Sequence, residues 1–103
     1  MNAAPQQIRV QKSTRRDKKL MAIVGDSTIH FGQRGAGDMT THGDSARKAQ
    51  YTARHRKNED WTLSGLKTAG FWARHLLWGE PTLQASVTTL NKRYPSIRVH
   101  LRI

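Results

Sequence analysis

The chain contains no cysteine, which removes disulfide staples and thiolate metal sites and leaves any metal to histidine and carboxylate. Acids are scarce as well: seven Asp and Glu stand against eighteen Lys and Arg in 103 residues, a formal net charge of +11. The few carboxylates are scattered, no serine stands in a nucleophile elbow and no HExxH occurs. Catalysis needs a positioned nucleophile or an acid and base gathered in a pocket, so the sequence reads as non-enzymatic. Long apolar runs are missing too. The start MNAAPQQIRV has none, which argues against a signal peptide or a membrane anchor and for a soluble product. Gly32, Gly35 and Gly37 spell GxxGxG, without the order or the flanking lysine of a phosphate loop, and predict a turn.

What is present is positive charge, unevenly placed. Residues 1–19 carry Arg9, Lys12, Arg15, Arg16, Lys18 and Lys19 against the single acid Asp17. A segment so charged sits against a polyanion, and nucleic acid is the economical choice because basic side chains gain by releasing phosphate counterions. With only Ile8 and Val10 as larger apolar groups it cannot cover the entropy of folding alone, so it reads as an extended basic N-terminal arm over 1–19. The fold is then expected from 20–103, as one small α+β domain.

Within that domain Leu20 to Val24 and Ser27 to Phe31, joined by Gly25-Asp26, predict a β-hairpin. Asp44 to about Lys57 predicts a helix capped by Asp44 or Ser45, with Ala46, Ala49 and Ala53 as its packing face and Arg47, Tyr51 and Arg54 on a free one. A second helix is expected over Leu66 to Trp78, with Ser64 near its cap, and a third from Pro81, carrying Leu83, Val87, Leu90 and Tyr94 inward until Pro95. At the end Ile97, Val99, Leu101 and Ile103 alternate with Arg98, His100 and Arg102, as a strand with one buried face requires. The expected order is β-β-α-α-α-β, the last strand joining the hairpin in a three-stranded sheet.

Beyond the arm, Arg47, Lys48, Tyr51, Arg54, Arg56 and Lys57 are the candidate contacts, laying one helix face along a phosphate backbone or a protein partner. No sequence-reading motif accompanies them, so base specificity is not expected. Trp61, Trp72, Trp78 and Phe71 stand at helical apolar spacing and predict core before stacking platform, with Trp61 the most exposed. His30, His42 and His55 with Asp38 and Asp44 have the ligand types of a nitrogen and oxygen metal site, but surface and capping roles explain them more simply. No metal, cofactor or small-molecule substrate is expected.

From His30 to Ser86 the chain resembles a family of small basic proteins of large double-stranded DNA viruses of algae and protists, a family without an established activity. The likeness is carried by His30-Phe31-Gly32, Tyr51-Thr52-Ala53-Arg54-His55, Asn58-Glu59-Asp60-Trp61-Thr62, Thr68-Ala69-Gly70-Phe71-Trp72, Leu76-Leu77-Trp78, Pro81-Thr82-Leu83 and Ala85-Ser86. The family pattern has aromatics where this chain has Ala36 and Met39, which speaks against base stacking by the glycine loop. The resemblance implies a viral setting. The expectation is a non-enzymatic structural component of the virion, a minor capsid or internal protein assembled in the host cell, packing on other virion proteins and reaching neighbours or genome through its arm. The competing expectation is a non-sequence-specific DNA- or RNA-backbone binder, genome-associated or ribosomal in type.

Overall fold

The computed structural model describes residues 4–103. Gly25, at φ +57, opens the two-residue turn Gly25-Asp26, at the position where a type II′ hairpin needs a positive φ. The hairpin it closes is the predicted one, slightly longer: β2 (Lys18–Val24) pairs antiparallel with β3 (Ser27–Gln33), Val24 opposite Ser27 and Leu20 opposite Phe31.

The basic arm is where the structure departs from the sequence reading. Gln6–Lys12 is not an extended arm but a strand, β1, and it lies inside the sheet. It pairs antiparallel with β2 (Val10 opposite Ala22) and parallel with the C-terminal strand β4 (Ile97–Arg102), Ile8 opposite Val99. The strand order is β3-β2-β1-β4, so β4 meets the hairpin only through β1 and the sheet has four strands. Two apolar residues suffice because they alternate. Ile8 and Val10 point into the core with no exposed surface, while the backbone on both sides is satisfied by neighbouring strands. A boundary at residue 19 therefore cuts through the sheet.

Helices cover one face. The loop after β3 leads into the short α1 (Met39–His42) and then α2 (Ser45–His55), capped as predicted by Asp44, whose carboxylate accepts from the Ala46 and Arg47 amides. The expected second helix is broken differently. A 3-10 turn over Leu63–Gly65 comes first, then α3 (Ala69–Trp72), capped by Thr68 and widening into a π-helical turn over Ala73–Leu77. Phe71, Trp72, Leu76 and Leu77 recur at i, i+1, i+5 and i+6, and a turn with i→i+5 bonds brings all four onto the core side. Ala69, the first residue of α3, is exposed. The next helix, α4 (Leu83–Arg93), is capped by the Thr82 hydroxyl, with Pro81 just outside it, and buries Val87 and Leu90.

Sheet and helices meet over Ile8, Val10, Ala22, Val24 and Phe31 on one side and Phe71, Trp72, Leu76, Val87 and Leu90 on the other. β4 is an edge strand, an invitation to pair with another chain. Asn91 closes it locally: its amide nitrogen donates to the Val99 carbonyl at 3.2 Å, and its oxygen accepts from the Val99 N–H at 2.8 Å. Alternation at the C-terminus is as expected at Ile97 and Val99, each 3 % exposed, and runs out at Ile103, which is 63 % exposed.

The position of β1 yields a paired expectation. Ile8→Ala should cost about 2–5 kcal/mol, since it empties a closed site between sheet and helices. Arg9→Ala, one residue on and outward, should stay within about 0.5 kcal/mol. Urea denaturation midpoints read both, and equal losses would contradict the placement of β1.

Candidate nucleic-acid interface

The alternation that sends Ile8 and Val10 inward sends Gln7, Arg9 and Gln11 to the opposite face of the sheet, where no helix lies among the described residues. There Arg98, His100 and Arg102 stand on β4, His100 directly opposite Arg9, Arg98 opposite Gln7 and Arg102 opposite Gln11. On the far side of Arg9 comes Ile23 of β2, then Thr28 of β3. Arg9, Arg98 and Arg102 are exposed, and no residue of any of the four strands is acidic. The β1–β2 loop folds over the β2–β3 end of this face. Ser13 and His30 share a 2.7 Å hydrogen bond, and the Thr14 hydroxyl donates to the Met21 sulfur at 3.9 Å, which is why Met21 is buried on an otherwise open face. That loop presents Arg15 and Arg16 to solvent, Arg15 forming an exposed pair with Asp17 at 3.0 Å. The result is an open cationic surface with alternating polar side chains, suited to lying along a phosphate backbone and offering little to tell bases apart.

The candidate contacts divide. Arg9, Lys12, Arg15 and Arg16 are exposed on or beside the sheet, and Arg47, Arg54, Arg56 and Lys57 are exposed on α2 and just after it. Lys18 is half-buried with no acid partner among the described residues. Three others are corrections. Lys19 is half-buried and already engaged: its ammonium meets the Asp38 carboxylate and the Ala36 carbonyl, each at 2.5 Å. Asp38, 2 % exposed, also caps α1 by accepting from the Thr40 amide at 2.8 Å, so the lysine neutralises a charge the helix start requires. Lys48 is tied across the molecule to the Gly79 carbonyl at 2.8 Å. Tyr51 is 7 % exposed, its ring stacked between His55 at 4.2 Å and Trp78 at 4.5 Å. The faces of α2 are thereby reversed from expectation: Tyr51 packs inward, while Ala46, Ala49 and Ala53 face solvent. One large aromatic outweighs three methyl groups in buried area.

Arg98, His100 and Arg102 were not among the sequence candidates. Their signal was the C-terminal alternation itself, which assigns every second residue of β4 to the solvent side.

The tryptophans divide as core and rim. Trp72 is fully buried, whereas Trp61 and Trp78 are half-buried, with Arg74 lying 5.4 Å over the Trp61 ring. Each member of the histidine and aspartate set has a separate task. His30 bonds Ser13, His42 accepts from the Asp44 amide at 2.8 Å and lies against Trp78, and His55 bonds Glu59 at 2.5 Å. Among the described residues no group of three or more His, Asp or Glu is gathered for a metal, and no helix is long and apolar enough to cross a membrane.

Fold and surface define a small α+β domain, a four-stranded mixed sheet with one face under helices and the other open, cationic and free of acid. Residues 8–55, from β1 to the end of α2, match a model described as "Family of unknown function (DUF5754)". Comparison with curated proteins and with solved structures finds no match to this chain.

The Lys19 assignment separates structure from contact. Lys19→Met should lower stability by about 3 kcal/mol, because it strands the Asp38 charge in the interior. Lys18→Met should fall within about 0.5 kcal/mol. Denaturant midpoints of the two variants check this, and equal values would return Lys19 to the surface.

Proposed function

We propose that this protein binds the backbone of nucleic acid without sequence preference, as a non-enzymatic internal component of a viral particle. The observation that carries the binding is the acid-free open face of the sheet, with Arg98 and Arg102 of β4 diagonal to Arg9 of β1 on either side of His100 and the Arg15-Arg16 loop beside them. Arginine suits this use because its planar fork donates to phosphate oxygens from a weakly hydrated cation. The viral setting is supported by the resemblance of His30 to Ser86 described above. The non-enzymatic part is supported by what the acids do: Asp38 serves Lys19 and α1, Asp44 caps α2, and Asp60 accepts from the Thr62 and Ser64 hydroxyls, which hold its carboxyl below the usual range.

A second reading, packing as a minor capsid protein on partner subunits, is favoured by the solvent-facing Ala46, Ala49 and Ala53 of α2, a slim surface on which another chain can approach closely. Fractionation separates the two. A protein that stays with a nuclease-treated, emptied shell supports capsid packing, and one lost with the genome supports backbone binding.

Binding to duplex DNA should weaken steeply with salt, each neutralised phosphate contributing about 0.9 to the slope of log K against log salt. The triple variant Arg9→Gln, Arg98→Gln, Arg102→Gln should flatten that slope by about 0.9 per arginine engaged. The triple variant Arg47→Gln, Arg56→Gln, Lys57→Gln should leave most of it. The reverse pattern, or affinity independent of salt, would refute the proposal.

A further inference from the structure

The open sheet face does not account for a cleft of about 470 Å³ on the helical side, between the start of β2, the glycine loop after β3, α2 and the start of α3. Its apolar floor is Phe31, Ala73 and Leu77, and its polar wall is Lys18, Lys19, Asp38, Tyr51, Arg54 and Glu59, with His55 beside Glu59. A volume of this size accommodates a small ligand.

The acids of this wall are already engaged. Asp38 is held by Lys19 and by Thr40. Glu59 accepts from the Trp61 indole at 3.1 Å on one oxygen and meets His55 at 2.5 Å on the other, and it sits so close to Gly70 that a Cβ there would collide with its carboxylate. The cations left over are Lys18 and Arg54, neither paired with an acid among the described residues. With Lys19 and Asp38 cancelling, Lys18 and Arg54 exceed Glu59 by one positive charge before His55 is counted. Tyr51 adds a neutral donor. It is more than nine-tenths buried, it lines the cleft, and its hydroxyl has no hydrogen-bond partner among the described residues. Burial, reinforced by the Glu59 charge, pushes that hydroxyl up to about 12, so it keeps its proton at any physiological pH. Its oxygen stays open to solvent, unlike the closed-off His42 Nε2 and Arg74 Nε, and is free to donate to a group lodged in the cleft.

We propose that this cleft is an anion site for a phosphate group, neutralised by Lys18 and Arg54 and receiving a hydrogen bond from the Tyr51 hydroxyl. Free phosphate and the terminal 5′-phosphate of a nucleic-acid strand present the same tetrahedral oxygens to the site. The site is separate from the sheet face, since none of Arg9, Arg98 or Arg102 lines it.

The test is a two-dimensional NMR titration of the full chain with inorganic phosphate, and in parallel with a short oligonucleotide carrying either a 5′-phosphate or a 5′-hydroxyl. Inorganic phosphate should give saturable shifts at Gly37, Tyr51 and Arg54. The double variant Lys18→Gln, Arg54→Gln should weaken that binding at least tenfold with an unchanged thermal midpoint. Tyr51→Phe keeps the ring stack and should weaken it several-fold. A free source is indicated if the two oligonucleotides move the cleft equally little, and a strand end if only the phosphorylated one moves it. Phosphate shifts that never saturate, or that persist undiminished in the double variant and in Tyr51→Phe, would overturn the proposal.

Discussion

The pairing of β1 on both its edges is the constraint on which the rest of the structure depends. Without Gln6–Lys12 the hairpin and β4 share no hydrogen bond, and the helices would cover two separate sheet fragments instead of one. A strand in the middle of a sheet must satisfy two neighbours and, here, hide one face. Ile8 and Val10 do the hiding, and the residue between them is forced outward with its charge. Arg9 is thus placed on the open face by the same alternation that builds the core. Slipping β1 by one residue would bury Arg9 and expose both apolar side chains, so its register is strongly determined.

Charge is sorted by the same geometry. The sheet has no acid, so its open face faces solvent with one sign only. The carboxylates lie in turns, at helix starts or in the cleft wall, where most have a local donor to satisfy: Asp44 and Asp38 start helices, Asp60 orders the turn before the 3-10 segment, and Glu59 ties α2 to Trp61. An excess of cations destabilises a compact chain by self-repulsion, and a polyanionic partner relieves that cost as it binds. The geometry that leaves the cations unpaired also leaves them available.

Much of the fold was legible in the sequence where a single period ruled. The Gly25-Asp26 turn, the Asp44 cap, the Leu83-Val87-Leu90 helix and the Ile97-Val99 alternation all stand where spacing put them. Three features were hidden for physical reasons. β1 was obscured because charge dominates its composition and two apolar residues give too weak an alternation to outweigh it, the missing information being its long-range pairing with β4. The orientation of α2 was hidden because alanines mark a helix face without saying what lies against it, and the Trp78 ring that draws Tyr51 inward is distant in sequence. The π-turn was hidden because an α-period scan spreads Phe71, Trp72, Leu76 and Leu77 around the helix. For the interface, the basic segment was visible but its partners Arg98 and Arg102 were not, since only the parallel register of β1 and β4 brings the two ends of the chain together.

The central claim is that nucleic acid lies on the open face of the sheet, and amide chemical-shift mapping of the whole protein with a short duplex DNA at low salt tests it most directly. The account predicts the largest shifts along Arg9, Arg98, His100 and Arg102 and in the Arg15-Arg16 loop, with the amides of Ala46 to Ala53 nearly still. Shifts confined to α2, with β1 and β4 unmoved, would contradict it.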